Sequence, residues 1–135
     1  MGWITPKTNW TTSDYYNVGD LNRVENNIAE VRSYLVLIGY NVPSITTKTN
    51  RSTADYDLVS SINRIESNLE TIKTAFVTPL DWQPTINWTA QTKLTADIAN
   101  RWETSALNLY SLAQNTYAAF VYCGNFVTGN QGGLA

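Results

Sequence analysis

One pair of short phrases occurs three times along the chain at a constant spacing, and this constrains the fold more than any other feature. The first phrases are Thr8-Asn9-Trp10-Thr11, Thr49-Asn50-Arg51-Ser52 and Ile86-Asn87-Trp88-Thr89, and the second are Asn22-Arg23-Val24-Glu25, Asn63-Arg64-Ile65-Glu66 and Asn100-Arg101-Trp102-Glu103. In each copy 13 residues separate the two Asn residues. This spacing indicates one supersecondary unit used three times, with a period of about 40 residues. We expect repeats at about 3-39, 43-78 and 82-123, followed by a tail over 124-135.

Apolar residues within each repeat follow a helical period. They stand at alternating three- and four-residue steps, at Leu21, Val24, Ile28, Val31 and Leu35, then Ile62, Ile65, Leu69, Ile72 and Phe76, then Ala99, Trp102, Ala106, Leu109 and Ala113. Such stripes are typical of amphipathic helices that bury one face. The small Ala residues of the third stripe match larger residues of the other two, as the layers of a shared core require. The sequence therefore predicts an all-α three-helix bundle in one domain.

The ends of the three helices carry their own signals. Thr11, Ser52 and Thr89 hold one repeat position, where we expect their hydroxyls to cap helical turns. In the first repeat, Asn17-Val18-Gly19-Asp20 predicts a short turn before a main helix that begins at about Val18. Gly39, Pro79 and Gly124 are expected to end the three helices. After Gly124 the pattern fits a helix end with a flexible tail or a small hairpin equally well.

The connections between the helices are long. Residues 39–53 and 78–88 are rich in Thr, Pro and Asn and exceed the two to eight residues, roughly, that join antiparallel neighbours. Either connection is long enough to run back along a helix of about 20 residues. The sequence leaves both a parallel and an up-down-up arrangement open.

Three repeated side chains, the Asn, Arg and Glu of each second phrase, lie beside the apolar stripe. They are Asn22, Arg23 and Glu25, then Asn63, Arg64 and Glu66, then Asn100, Arg101 and Glu103. We interpret them as repeat anchors, and our hypothesis is that the Asn and Arg side chains donate to carbonyls of a leading segment folded back along the helix. The alternative is plain solvation, with the phrase kept by duplication.

Composition argues against common enzyme chemistry. The chain has no His and one Cys, Cys123, which removes His-based acid-base catalysis and the usual zinc ligand sets. The carboxylate pairs Asp55 with Asp57, Glu66 with Glu70 and Asp97 with Glu103 all have simpler uses as caps or solvated residues. We expect no catalytic residue, no cofactor and no metal.

The charge distribution limits the classes of partner, and the first residues bear on where the protein is assembled. Nine basic and eleven acidic residues are spread without a block of one sign, so we expect binding to neither nucleic acid nor membranes. The start Met1-Gly2-Trp3-Ile4-Thr5-Pro6 has no basic stretch and no apolar core of a signal peptide. We therefore expect assembly in a cytoplasm.

Residues 4–28 carry a resemblance to a known group of proteins. Ile4-Thr5-Pro6-Lys7-Thr8-Asn9-Trp10, Asp14-Tyr15-Tyr16-Asn17 and Asp20-Leu21-Asn22-Arg23-Val24-Glu25-Asn26-Asn27-Ile28 resemble a segment of tail, baseplate and fibre proteins from phages and prophages of Gram-positive bacteria. The ending Tyr122-Cys123-Gly124-Asn125-Phe126 is similar to C-terminal segments of such proteins. The resemblance implies a structural virion protein, such as a tail, baseplate, neck or fibre-attachment adaptor, that contacts other virion proteins and forms homo-oligomers within the particle.

A second class of function is a module that binds host cell-wall carbohydrate or a receptor. Five Trp and eight Tyr residues are many for a helical domain, and exposed aromatic rings can stack on sugars. Trp10, Trp88 and Trp102 have structural positions in the repeats. The aromatic residues left as candidate ligand or partner contacts are Trp3, Trp82, Tyr122 and Phe126.

Overall fold

Three helices form the fold. The computed structural model describes residues 2–14, 18–52, 59–80, 82–89 and 94–130, with the backbone alone at 18, 59–61 and 121–130. Helix α1 spans Val18–Leu37, α2 spans Val59–Ala75 and α3 spans Ala96–Asn130. No strand occurs within these ranges. The predicted all-α three-helix bundle is confirmed, and α1 begins at the predicted Val18.

All three helices run in the same direction. Near their N-terminal ends, Arg23 of α1 reaches Glu103 of α3, and Arg64 of α2 reaches Glu25 of α1. At the other end, the ring of Tyr40, just after α1, lies 4.8 Å from Phe76 after α2 and 6.5 Å from Phe120 of α3. The arrangement that the sequence left open is therefore parallel, and each connection returns along the bundle.

The core lies where the helical stripes predict it. Val24, Ile65 and Trp102, at the same position of the three repeats, are 1%, 0% and 0% exposed. The remaining stripe residues that are fully buried are Ile28, Val31, Leu35, Leu69, Ile72, Ala106, Leu109 and Ala113. Trp88 adds its ring from outside the helices, 5.8 Å from the ring of Trp102. Because the third stripe is largely Ala, α3 leaves room for these two indoles.

The three residues expected as caps lie ahead of the described helices. Thr11 lies in a turn ahead of α1, in which the Asp14 N–H donates to the Thr11 carbonyl, and its hydroxyl pairs with Ser13 and Asp14. At the start of α3, Thr95 rather than Thr89 accepts the Ile98 N–H on its hydroxyl, at 3.2 Å. The residues after Ser52, 53–58, lie outside the described ranges. Thr11 thus begins the short turn expected ahead of α1, although its hydroxyl pairs with side chains and not with a backbone N–H, and residues 90–93 after Thr89 lie outside the described ranges.

Gly39 ends α1 as predicted. Its φ is +111°, and the Gly39 N–H donates to the Val36 carbonyl while the Tyr40 N–H donates to the Leu35 carbonyl, at 3.1 and 2.9 Å. This pair of bonds is a Schellman motif, which satisfies the last carbonyls of a helix. It also directs Tyr40 back over the end of the bundle.

Alanine at Gly39 and at Gly19 is expected to have opposite effects. Nothing approaches the added Cβ at either site, so the backbone conformation decides. Gly39→Ala should destabilise by about 1–2 kcal/mol because an L residue is strained at positive φ. Gly19→Ala, within α1, should stabilise by roughly 0.5–1 kcal/mol because Ala favours the helix. Urea unfolding of both variants measures this, and equal effects would contradict it.

Helix α3 continues past its predicted end. Gly124 was expected to stop it, with a tail or hairpin over 124–135, but the helix runs to Asn130. The hairpin is therefore wrong, and residues 131–135 lie outside the described ranges. A single Gly inside a helix costs only about 1 kcal/mol, so helical neighbours on both sides override it. Helix α2 ends at Ala75, ahead of Pro79 as predicted.

Candidate functional site

The repeated Asn residues each hold the backbone of one leading segment, the stretch before a helix (residues 2–10, 40–51 and 82–88). Asn22 of α1 accepts the Arg51 N–H at 3.0 Å and donates to the Arg51 carbonyl at 3.1 Å. Asn63 binds Trp88 at 2.7 and 3.1 Å, and Asn100 binds Trp10 at 2.7 and 3.0 Å, through the same pairs of atoms. Each Asn therefore anchors the leading segment of a different repeat, through a backbone N–H as well as the carbonyl.

The repeated Glu residues are buried acceptors beneath these amides. Glu25, Glu66 and Glu103 are 0%, 3% and 1% exposed. Glu103 accepts the Lys7 backbone N–H at 3.1 Å and the Trp10 indole N–H at 2.8 Å. Glu66 accepts from Ile86 and Trp88 of the third leading segment, and Glu25 accepts from Lys48 and Arg51 of the second. Each carboxylate therefore ties a helix to a segment.

The repeated Arg residues complete the arrangement differently from the hypothesis. Arg64 donates two hydrogen bonds to Glu25, at 3.1 and 2.8 Å, and Arg23 donates two to Glu103, at 2.7 and 2.6 Å. Arg101 donates to Glu66. The expected Arg bonds to backbone carbonyls are thus wrong, because a buried carboxylate is the stronger acceptor for a guanidinium fork. The hydrogen bonds from Arg23 to Glu103 raise the pKa of the guanidinium.

We call each such set a clasp. The first clasp contains Asn22, Glu25, Arg51 and Arg64; the second contains Asn63, Glu66, Trp88 and Arg101; the third contains Asn100, Glu103, Trp10 and Arg23. The first clasp joins α1 to α2 and the second joins α2 to α3, while the third joins α3 back to α1 through Arg23 and Glu103, which are 80 residues apart in sequence. The clasps therefore form a closed ring around the N-terminal part of the bundle.

Further amides, which the sequence reading did not single out, extend two of the clasps. Asn27 of α1 accepts the Ile4 N–H at 2.9 Å and donates to the Ile4 carbonyl at 2.7 Å. Asn68 of α2 donates to the Thr46 carbonyl at 2.8 Å. Both follow the clasp Asn of their helix by five positions, so the sequence itself shows this second repeated Asn. The same position in α3 is Ser105, whose side chain is too short for this bond.

Two of the four candidate aromatic contacts, Trp3 and Trp82, have described side chains, and both are only partly exposed. Trp3 stacks on Tyr110 with ring centroids 4.0 Å apart. Trp82 is half-buried, and its indole N–H has no hydrogen-bond partner among the described residues. The side chains of Tyr122 and Phe126 lie outside the described part of the chain, although their backbone belongs to α3. Trp3 and Trp82 contact different helices, Trp3 through Tyr110 of α3 and Trp82 through Lys73 of α2.

Two of the carboxylates considered for catalysis, Glu66 and Glu103, are buried acceptors and not the solvated residues expected. Glu66 and Glu103 belong to different clasps, while Asp55 and Asp57 lie outside the described residues. The described residues contain no group of three His, Cys, Asp or Glu side chains suited to a metal ion. A half-open hollow of about 360 Å³ lies beside Trp10, Asp14, Leu94 and Ala99. There the Thr11 backbone N–H lowers the pKa of Asp14.

Comparisons with protein-family models, curated sequences and solved structures find no match to this chain. Within the described residues, none of the helices combines the length and apolar character needed to cross a membrane. The function must therefore be argued from the clasps, the surface and the sequence resemblance.

Arg64→Ala tests how much the Arg side chain of a clasp contributes to the free energy of unfolding. Glu25 would lose two charge-assisted hydrogen bonds, so we expect the free energy of unfolding to fall by about 1.5–3 kcal/mol. The matched control is Lys73→Ala, which removes a cation from the more exposed pair with Glu70 and should cost less than about 1 kcal/mol. Chemical denaturation of both variants gives the comparison. A loss of no more than about 0.5 kcal/mol, as is usual for substitutions of surface residues, would contradict a structural role for Arg64.

Proposed function

We propose that this protein is a structural subunit of a tailed bacteriophage or prophage-derived particle, acting as a tail, baseplate, neck or fibre-attachment adaptor through protein–protein contacts. Its place of action is the virion, assembled in the host cytoplasm. The resemblance of residues 4–28 to such proteins supports the kind of particle. The matching residues include Lys7, Trp10, Arg23 and Asn27, all of which make hydrogen bonds that join segments to helices. The resemblance therefore coincides with residues that organise the fold.

The observation that carries the proposal is the distribution of polar and apolar groups. The repeated Asn, Arg and Glu side chains bond to each other and to the backbone, within the bundle. The large apolar side chains that remain exposed include Leu37, Leu80 and Phe120, near the C-terminal end of the bundle. Exposed apolar patches mark protein interaction sites more often than reaction centres. A clasped bundle with one apolar end suits an adaptor.

The three units themselves support the same proposal. Equivalent Asn and Glu residues make equivalent bonds in all three clasps, which is the result expected from duplication of one unit. We infer that a segment used once in longer particle proteins was triplicated here into a bundle that closes on itself. Its role is then to present the ends of the bundle at a fixed geometry.

Mass spectrometry of purified particles tests the proposed function. Particles from the strain that encodes the chain are banded on a density gradient, and the protein is quantified against a capsid and a tail protein. We expect it at a constant ratio to the tail protein across preparations. Recovery only in the soluble host fraction would overturn the proposal, whereas association with capsids that lack tails would move the subunit to another virion layer.

Binding of host cell-wall carbohydrate is the second candidate, and Trp82 is the observation that favours it. Its indole N–H is unpaired among the described residues, and Lys73 lies 6.0 Å from the ring centroid. That N–H is itself buried, so the surface offered to a sugar is the partly exposed face of the indole ring. Sedimentation with purified walls, lost in Trp82→Ala and retained in Trp3→Ala, would favour this candidate over the structural role.

A further inference from the structure

The C-terminal end of the bundle exposes most of the large apolar side chains that the described surface carries. Eight such residues are at least one-third exposed, and six of them lie at or near this end: Val36, Leu37, Val77, Leu80, Tyr117 and Phe120. Leu37 and Leu80 are 81% and 86% exposed. The other two, Ile4 and Leu94, lie elsewhere. A concentration of this kind at one end needs an explanation beyond chance exposure of single residues.

Helix α3 continues beyond this end without its neighbours. Its core stripe runs through Leu109 and Ala113, both fully buried, and reaches Tyr117 and Phe120, which are 47% and 50% exposed. Phe120 still contacts the ring of Tyr40, and the helix then continues to Asn130. Ten further residues extend about 15 Å. The face that α1 and α2 cover inside the bundle is therefore continued in a part of α3 that they do not reach.

Steric exclusion by α1 and α2 determines in which direction a helix from a second copy can run along this face. Such a helix must lie directly above the ends of α1 and α2. If it ran parallel to α3 and belonged to a second copy of the chain, the bundle below it would occupy the space of α1 and α2. Only an antiparallel helix, which arrives from above with its own bundle on the far side, avoids that overlap.

We propose that two copies of this chain associate end to end through a twofold axis, with their α3 extensions antiparallel. In this dimer, the tip of each α3 lies over Phe120, Leu37 and Leu80 of the partner. The same surface serves both copies, as twofold interfaces require.

Charge favours a second copy over a different protein. No Asp, Glu, Lys or Arg follows Glu103 in the sequence. The extension therefore has no charge pattern to select an oppositely charged partner, and it meets its own copy without like-charge repulsion. The dimer is a separate proposal from the virion role. Particle mass spectrometry tests the virion role and the solution mass tests the dimer, so either can be wrong while the other holds.

Solution mass is the first measurement. The purified chain is analysed by light scattering at micromolar concentration, with reductant present so that Cys123 forms no disulfide. We expect twice the chain mass of 15.1 kDa. Phe120→Glu and Leu37→Glu should each give a monomer, because a charge would be buried in an apolar interface. Leu94→Glu, at the opposite end, is the matched control and should remain dimeric. Thermal unfolding of every variant establishes that the bundle is intact.

Small-angle X-ray scattering decides the orientation. Two helices of 35 residues that overlap over their last ten residues span about 90 Å end to end, whereas a parallel pair spans little more than one helix, about 52 Å. A longest dimension near the larger value supports the antiparallel dimer. A monomer, a parallel dimer, or a dimer that persists in folded Phe120→Glu and Leu37→Glu would each overturn it, and a monomer would point to a different partner at this end.

Discussion

Glu25→Gln is expected to lower the free energy of unfolding by about 3–5 kcal/mol, since it leaves buried cations without their counter-charge. The Arg51 and Glu25 side chains are both fully buried, and the Glu25 carboxylate accepts from Arg51, Arg64 and the Lys48 backbone N–H. Gln keeps the size of Glu but replaces one acceptor oxygen with a donor that faces the guanidinium groups. Denaturant unfolding measures the loss.

Glu30→Gln is the matched control, because it makes the same chemical change on the same helix. Glu30 is partly exposed and makes no ion pair in the described part of the chain, so we expect a change within about 0.5 kcal/mol. Similar losses in the two variants would show that the clasp carboxylate has no special role. If Glu25→Ala and Glu25→Gln lower the free energy of unfolding equally, the loss of the negative charge is the cause, because only Gln keeps the size of the side chain.

Trp102→Ala is expected to cost about 4–5 kcal/mol, near the upper limit for a core aromatic residue. The indole is 0% exposed at the level where the three helices meet, and it packs against Trp88. Its N–H also donates to Glu66 at 3.0 Å. The variant therefore combines a large cavity with a weakened second clasp. A domain of ordinary stability, about 5–15 kcal/mol, would be left marginal, as circular dichroism melting would show.

Two comparisons separate the contributions to the Trp102 effect. Trp102→Phe retains most of the ring but removes the donor, so we expect a loss of about 1–2 kcal/mol. Trp82→Ala removes the same side chain from a half-buried position and should cost clearly less than Trp102→Ala. If Trp82→Ala proved as damaging as Trp102→Ala, the central position of Trp102 would not be the cause.

Much of the architecture was predictable because the repeat aligns residues that share one environment. Val24, Ile65 and Trp102 differ in size, but their common place in the stripe predicted a shared core. The clasp amides were recognisable for the same reason, as Asn22, Asn63 and Asn100 recur at one position of the repeat, although each binds the leading segment of a different repeat. A periodic pattern reports which face of a helix is covered.

What the sequence did not predict depends on partners distant along the chain. Arg23 and Glu103 are 80 residues apart, so neither local pattern indicates that one binds the other. Thr11 has the residue type of a cap, but its hydroxyl pairs with the neighbouring Ser13 and Asp14 side chains, and residue type alone does not specify which partner a hydroxyl finds. Gly124 gave a stop signal that the helical preference of its neighbours outweighed.

The third clasp has a consequence for biosynthesis. Trp10 emerges from the ribosome early, while Asn100 and Glu103 follow only after 90 or more residues have been added. At a synthesis rate of roughly 5–20 residues per second, the Glu103 acceptor is made about 5–20 seconds after the Trp10 indole. Native topology is thus completed late in translation, by contacts of long sequence separation, which slow folding. Ribosome-bound chains that stop before α3 should remain more sensitive to protease than full-length chains.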